Sequence, residues 1–474
     1  MAGTSPLVRR SRLLRAPSLV AAVLGAAAVF QCVAYWPGIM TWDAITQYDQ
    51  ASQNYFEDWH PPLMAWLWRR LIAIHPGPAP LFALQLGLYW TGYGLIITGA
   101  WRRRQPVAAA LVAASALMPF PLALMGSVLK DCLMEGFFLM GTGLFVWTRS
   151  ERDWPQRIGA ILLLLLGALL RFNAFLAVLP LLVRLMPHGW RRTPARLTAF
   201  TAGWLIVVMA LLPITNRLIG AEKTDVQFSL VIFDLGGITE HSGRDMFPSM
   251  GLPDPVGVNA HCYTPQMWDS YSAWATRPCP INFDRVQAAI ERDHLSPYAL
   301  LARAVLAHPI AYAEHRLRHF NINTRFIVPN EVQGPVPDRT TPNIWNFTVA
   351  RGPGLKLINR LTGITIHTPL GWPIVWIALA GGLLAIGPQL PSKAVVGPIA
   401  ASAFLYGLGY LTFSVSSELR YHLWTITGCA IAAAFAAADL ASGAGLGRRR
   451  MLIAFAPTML AFLFCAVSRL AAIL

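Results

Sequence analysis

The chain has 474 residues, 55% of them hydrophobic and only 13% charged, with a formal charge of +15 at pH 7. A soluble domain carries about twice that charged fraction, and several apolar runs reach the roughly 18 residues that signal a bilayer span. Together these exclude a soluble enzyme. They also exclude a nucleic-acid-binding role for the basic charge, because most arginines cluster in short loops between apolar runs, where positive-inside orientation puts them. Spans must satisfy their own backbone, so they are helices; the short alternating segments of a membrane barrel are missing. The expected fold class is an all-α polytopic membrane protein with about eleven transmembrane helices.

In chain order, Arg9, Arg10, Arg12 and Arg15 precede an apolar run at 17–36. It is too long for a signal-peptide core and has no clear cleavage site, so it reads as an uncleaved first span. Next comes "YWPGIMTWDAITQYDQASQNYFEDWHPPLMAWLW" (35–68), with four carboxylates, Asp43, Asp49, Glu57 and Asp58, among tryptophans and tyrosines. These aromatics (Trp36, Trp42, Tyr55, Trp59, Trp66, Trp68) read mostly as an interfacial belt. His60-Pro61-Pro62 leads into an interfacial helix at 63–74. Further spans are expected at 81–101, 106–125, 132–148, 158–170, 174–187, 198–216, 370–388, 394–413, 421–440 and 451–472.

The stretch 158–187 reads as one long helix or as two short ones broken at Arg171-Phe172-Asn173. Thirteen helical residues reach only about 20 Å, short of a hydrocarbon core of about 30 Å. A single helix, however, would move Arg191, Arg192, Arg196 and Arg448–Arg450 to the outer side. Two short helices meeting in a recessed site is the preferred reading, since irregular backbone at depth is tolerated where it lines a cavity. Residues 217–369 form a non-cytoplasmic insertion, long enough for a small domain. Its first half is loop-like, rich in Gly, Pro and Asp. Its second half, "SPYALLARAVLAHPIAYAEHRLRHF", reads as two amphipathic helices separated at His308-Pro309. The chain thus divides into an N-terminal membrane module of seven spans (1–216), the insertion (217–369) and a C-terminal membrane module of four spans (370–474).

With the N-terminus cytoplasmic, one set of short loops holds the Arg102, Arg149, Arg191 and Arg448 clusters. The other holds only Arg69, Arg70, Lys130, Arg171 and Arg420. Cys32, Cys132, Cys429 and Cys465 lie in or beside spans and read as inert core residues. Cys262 and Cys279 lie seventeen apart in the insertion. If that loop is periplasmic they pair as a disulfide; the alternatives are two buried thiols, or a zinc site with His261 that falls short of four ligands.

This topology gathers the unusual polar residues on the outer side: Asp43 and His60 in the first outer loop, and Lys130 and Asp131 in "MGSVLKDCLMEG". Arg171 and Asn173 lie at the break, and Glu418, Arg420 and Tyr421 in "SVSSELRYHLW". Carboxylates beside cations near a membrane suggest a base or metal ligand next to an anion-binding group.

Four of these segments ("PGIMTWDAITQYDQA" closing in "DWHPPL", "LKDCLMEGFFL", "LLRFNAFLAVLPLL" and "SSELRYHLW") give the chain a resemblance to the GT-C superfamily of membrane glycosyltransferases, particularly its less characterised bacterial members. The resemblance implies an enzyme of the bacterial inner membrane that moves a sugar from a polyprenyl-phosphate-linked donor to an envelope glycan or lipid acceptor, with inversion. The reaction would take place in a periplasmic cavity facing membrane lipids. The family's catalytic Asp carries over to Asp43, as base for the acceptor hydroxyl, with Asp131 and His60 beside it. Lys130, Arg171 and Arg420 would take up phosphate charge, with Asn173, Glu418 and Tyr421 completing the donor site. The sequence departs from the family in one respect. Many relatives carry two acidic residues one apart, and here Trp42 and Ala44 flank Asp43. A divalent cation (Mg or Mn) held by Asp43 and Asp131 is therefore an open expectation.

Structural readings stand beside these roles. Asp43 could be a helix cap, His60 could only shape the turn before Pro61, and Lys130–Asp131 could be a local ion pair. Arg171 could be a structural partner for a carboxylate, and Glu418 could simply pair with Arg420. An O-antigen ligase or polysaccharide polymerase would instead work through His308, His315, Arg316, Arg318 and His319. A transporter or flippase would need mid-membrane charges and internal repeats, which the sequence lacks.

Overall fold

Proline marks where many of the helices begin. It stands in the first turn of helices opening at Pro106, Pro119, Pro194, Pro255, Pro297, Pro309, Pro353 and Pro373, where its missing N–H has no partner to lose. The computed structural model describes residues 6–150, 152–275, 278–328 and 336–471, with side chains from 18 onward. The regular structure of the described residues is all helical, with three isolated β-bridges and no strand.

The N-terminal part comprises α1 (Pro6–Tyr35), α2 (Trp42–Gln53), α3 (Leu63–Ile72), α4 (Ala79–Arg102), α5 (Pro106–Ala116), α6 (Pro119–Leu124), α7 (Lys130–Trp147), α8 (Trp154–Ala168), α9 (Phe175–Leu185) and α10 (Pro194–Ile219). The insertion holds α11 (Phe228–Ser242), α12 (Pro255–Cys262), α13 (Phe283–Arg292), α14 (Pro297–Ala307), α15 (Pro309–Asn323) and α16 (Pro353–Thr365). Then follow α17 (Pro373–Ile386), α18 (Lys393–Gly409), α19 (Leu423–Ala441) and α20 (Arg448–Ala471). Among the described residues, five helical segments are long and apolar enough to cross a membrane: Ser18–Tyr35, Ala79–Arg102, Pro194–Ile219, Leu419–Ala441 and Arg448–Ala471. Shorter apolar helices include α5, α8, α9 and α18.

α7 is the axis of the bundle. It packs against α4 on one side and α8 on the other, while α18 joins α9 to α19 and α17 packs on α20. Most of α7 is buried, its charged Lys130, Asp131 and Glu135 included. α10, by contrast, buries only Val208; an apolar helix exposed nearly all round is suited to lipid as solvent.

Three expectations are corrected. The run 106–125 is two helices rather than one, because Pro119 cannot continue α5 and disfavours helical geometry at Met118. The first half of the insertion is not loop-like: α11 is buried for most of its length. Its Gly236-Gly237 pair, which looks like a breaker in sequence, lets Tyr271 and the His315 ring pack onto the helix. Not all the aromatics of the first outer loop form a belt. Trp68 is fully buried and donates to the Gly77 carbonyl at 3.0 Å, and Trp59 packs against Trp268, Trp274 and Phe283 of the insertion. The stretch 158–187 is indeed two helices, α8 and α9, with Arg171-Phe172-Asn173 between them. In the insertion, Cys262 and Cys279 are disulfide-bonded.

The α4–α7 contact depends on glycine. A Cβ at Gly92 would lie 2.6 Å from backbone atoms of Leu139 and Met140, whereas one at Gly94, half a turn away, meets nothing within 4 Å. Gly92→Ala should therefore cost about 1–3 kcal/mol through overpacking, while Gly94→Ala should stabilise by up to about 1 kcal/mol. Thermal unfolding of the two variants in one detergent checks this; equal melting temperatures would refute the close approach.

Candidate active site

Four separate segments meet at one end of α7. The first outer loop supplies Asp43, in the first turn of α2, where a carboxylate is favoured by the helix dipole. The N-cap of α2 is Thr41, so Asp43 is not a cap. Asp43 Oδ2 accepts from Arg420 Nη1 at 3.0 Å and lies 3.6 Å from Lys130 Nζ; its Oδ1 lies 3.8 Å from His60 Nε2. Lys130 Nζ is 2.6 Å from His60 Nδ1. An ammonium can only donate, so Nδ1 is the acceptor and the ring proton sits on Nε2, toward Asp43. Lys130 thus faces the first outer loop rather than forming a local pair with Asp131.

Asp131 is fully buried and pairs instead with Arg171, which sits in the break between α8 and α9. The Arg171 guanidinium stacks over the Tyr421 ring, 4.3 Å from its centroid. Tyr421 donates to Glu418 Oε1 at 3.2 Å, and Glu418 also accepts from Arg420 Nη2 at 2.8 Å, with its Oε2 2.7 Å from Arg420 Nε. The structural reading of Glu418 therefore holds in part: it pairs with Arg420, while Arg420 also reaches Asp43. Asn173 is buried in the same break, its amide nitrogen without a hydrogen-bond partner among the described residues.

Burial alone would raise the Asp43 carboxyl, but Arg420 and then Lys130 hold it well below the usual carboxylate range. Burial, then the Lys130 charge, pushes His60 down to about 3, so the imidazole is neutral at physiological pH.

Three of these residues border a cavity of about 380 Å³, within the size range of small-molecule sites. Asp43, Glu418 and Arg420 line it together with Thr41, Ser417 and Arg325. Arg325 is a site residue that sequence reasoning missed. It ends α15 in a left-handed conformation, and its carbonyl accepts from Arg469 Nη2 of α20 at 2.8 Å. An arginine closing an amphipathic helix gives no sequence signal that it returns to a site some 280 residues upstream. The insertion also reaches the cavity through Thr341, whose N–H donates to the Met40 carbonyl at 2.8 Å.

A divalent cation does not fit this donor set. Asp43 and Asp131, the proposed ligands, each face their own cations, and no group of three His, Cys, Asp or Glu among the described residues could hold a metal ion. Lys130 and Arg420 stand against Asp43, and Arg171 against Asp131.

The run that a ligase would use is placed elsewhere. His315, Arg316 and His319 are buried. Asp234 Oδ1 lies 2.5 Å from Arg316 Nη2 and 3.1 Å from His315 Nε2. Arg316 Nη1 donates to the Ser414 carbonyl at 2.7 Å, Trp268 N–H to Val415 O at 2.8 Å, and Asn323 Nδ2 to Ser416 O at 3.1 Å. His422 Nε2 meets Asn323 Oδ1 at 2.6 Å. The insertion thereby grips, carbonyl by carbonyl, the loop that carries Glu418 and Arg420.

No protein-family model matches the chain, and no curated protein matches it. Two solved structures resemble it weakly. One is the Archaeoglobus fulgidus oligosaccharyltransferase tethered with an acceptor peptide (13% identity, TM-score 0.36, 95% of this chain, 55% of that one). The other is the archaeal oligosaccharyltransferase AglB of the same organism, in complex with an inhibitory peptide and a dolichol-phosphate (14% identity, TM-score 0.37, 95% of this chain, 56% of that one). The chain thus spans about half the length of these proteins. Similarity at this level assigns neither family nor activity.

Two outcomes follow from the geometry. His60 binds a proton near pH 6.5 when unfolded but only near 3 when folded. Its contribution to stability is complete above about pH 6.5 and declines as the pH falls toward 3. His60→Gln should flatten that part of the pH–stability curve; unchanged acid sensitivity would refute the assignment. Arg316→Ala strands Asp234 and should cost about 3–5 kcal/mol. Amide exchange should quicken at 414–422 in this variant before it does so in α7.

Proposed function

We propose that the chain is a GT-C-type glycosyltransferase. It would transfer a sugar from a polyprenyl-phosphate donor to an envelope glycan or lipid at the outer face of a bacterial inner membrane, with the N-terminus cytoplasmic and about eleven spans. The observation that carries this reading is Asp43. Its side chain is about a quarter exposed at the cavity wall, with Oδ2 held by Arg420 and Lys130 and Oδ1 3.8 Å from the His60 ring.

An acceptor hydroxyl is a weak nucleophile and needs a carboxylate to take its proton. A phosphate leaving group needs positive charge rather than an acid. In the proposed step the acceptor hydroxyl donates to Asp43 Oδ1. Its oxygen bonds to the anomeric carbon as the carbon–phosphate-oxygen bond breaks. The lipid phosphate departs with that electron pair, and the hydroxyl proton passes to Asp43. A single displacement of this kind inverts the anomeric centre. Lys130 and Arg420, with Arg325 on the same wall, receive the phosphate; the forked guanidiniums suit its oxygens. Arg171, already engaged by Asp131 and Tyr421, orients the floor of the site. The ligase alternative gains no support, because His315, Arg316 and His319 are buried in the insertion and Arg318 pairs with Glu314.

The test is mass spectrometry of envelope glycans from a deletion strain. Wild type should restore a missing sugar mass. Asp43→Asn, at equal membrane abundance, should leave transfer at least about 100-fold reduced. Full restoration by Asp43→Asn would overturn the catalytic assignment.

A further inference from the structure

The disulfide between Cys262 and Cys279 brackets a segment of the insertion that the proposed reaction does not use. The segment is anchored at several points. Trp268 N–H donates to the Val415 carbonyl at 2.8 Å, Met267 forms a β-bridge with Ser416, and the Pro265 carbonyl lies 2.8 Å from His319 Nδ1. Tyr271 is fully buried and donates to Asn259 Oδ1 at 2.6 Å. Two side chains of this fixed segment are nevertheless left open, both beside the site.

The first is Asp269. Its main-chain carbonyl accepts from Ser272, but its partly exposed carboxylate has no hydrogen bond or ion pair among the described residues. The Trp268 bond and the Met267 bridge set it alongside the loop that carries Glu418. It is close enough to Glu418, Asp43 and Arg420 to feel their charges, and burial, then Glu418 and Asp43, push its carboxyl up from the ordinary value. Next to it, the Ser270 hydroxyl is buried without a hydrogen-bond partner among the described residues. The second is Trp274, 61% exposed. Its ring meets those of Trp59 and Trp268 near right angles, at 5.3 and 5.5 Å between centroids. Trp59 is the neighbour of His60 in the chain, and Trp268 is the neighbour of Asp269. Membrane-interface aromatics account for an exposed tryptophan. They do not account for one seated on the residues that flank His60 and an unpaired carboxylate. Asp43 Oδ2 is taken up by Arg420 and Lys130, while Oδ1 lies on the His60 side. The aromatic platform thus adjoins the oxygen that would receive the acceptor's proton. Neither Asp269 nor Trp274 lines the cavity that would take the phosphate.

We propose that Trp274 and Asp269 form a subsite for a sugar ring of the acceptor, so that the acceptor is a carbohydrate, free or lipid-linked, rather than a lipid alcohol. This rests on the transferase reading and names the substrate class for its second half. A sugar ring has an apolar C–H face and a rim of hydroxyls. An indole covers the face. A carboxylate, which can only accept, takes the hydroxyls in charge-assisted bonds. An acyl chain would gain nothing from a carboxylate and would leave it desolvated. The disulfide and the bonds to the 414–416 loop hold the subsite in register with Glu418 and Arg420.

The experiment is a saturation-transfer NMR titration of the full chain in detergent. The probe is the lipid-free glycan fraction from the envelope of the deletion strain, which carries the acceptor still unmodified. Wild type should bind it. Trp274→Ala should weaken binding about tenfold, and Asp269→Ala by at least as much. Trp274→Ala also removes a contact of Trp59. Asp269→Ala breaks no side-chain bond inside the chain and keeps the test valid should the first variant misfold; its unfolding temperature should match wild type. Trp190→Ala, an exposed tryptophan beyond the far end of α9, is the control and should bind as wild type does. No binding by wild type overturns the proposal, as does undiminished binding by Asp269→Ala or equal weakening in Trp190→Ala. Binding is read without transfer, so an overturned subsite leaves the transferase reading standing. A fully active Asp43→Asn would overturn the catalytic assignment without altering the binding result.

Discussion

The Asp43 carboxylate, held between Arg420 and Lys130, joins parts of the chain 377 residues apart in sequence. Its energetics constrain everything around it. A carboxylate beside lipid is costly unless paired, and breaking a buried pair costs more than the pair gains. The first outer loop, the start of α7, the break before α9 and the loop before α19 must therefore arrive together or not at all. Each brings a charge that the others neutralise: Asp43 with Arg420 and Lys130, Asp131 with Arg171, Glu418 with Arg420.

That convergence needs scaffolding, and the insertion supplies it. The loop bearing Glu418 and Arg420 has no regular structure of its own before a short 3₁₀ turn. Its carbonyls at Ser414, Val415 and Ser416 go instead to Arg316, Trp268 and Asn323. Arg316 is fixed in turn by Asp234, and the disulfide closes the segment between α12 and α13. His315, Arg316 and His319 of α15 look like chemistry in the sequence, but in the fold they are the buried side of a clamp. The same logic explains Trp59, which carries the first outer loop into the insertion core and so brings His60 to its place.

Much of this was legible in the sequence because the physics was local. Apolar runs, prolines and arginine clusters marked the helices, and Arg171 in an apolar stretch marked the break, since a charge there needs a reason. The convergence of Asp43, Lys130, Arg171 and Arg420 followed from placing their loops on one side. What was not legible depends on contacts between distant segments. Nothing in "LGG" says that α11 stays helical so that His315 can pack on its glycines. Nothing near Arg325 points to the Asp43 cavity. The partner of Lys130 was also beyond reach: adjacency favoured Asp131, but successive residues on a helix do not face each other, and the side chain turns to His60.

The held carboxylate raises a chemical difficulty whose resolution bears on the proposed reaction. With Arg420 and Lys130 against it, Asp43 has little affinity for a proton, and such a carboxylate is a poor base. In the proposed reaction an entering lipid phosphate would share Lys130 and Arg420, and the carboxylate would lose part of the charge that stabilises its anion, so that its proton affinity would rise only with donor bound. In the absence of donor, the same cations hold the carboxylate ionised and in place. Neutral His60, with its Nε2 proton toward Oδ1, stays compatible with both conditions because it adds no charge of its own. A divalent ion in the same position would hold Asp43 permanently, whereas flexible ammonium and guanidinium groups can be divided between carboxylate and phosphate as the reaction proceeds.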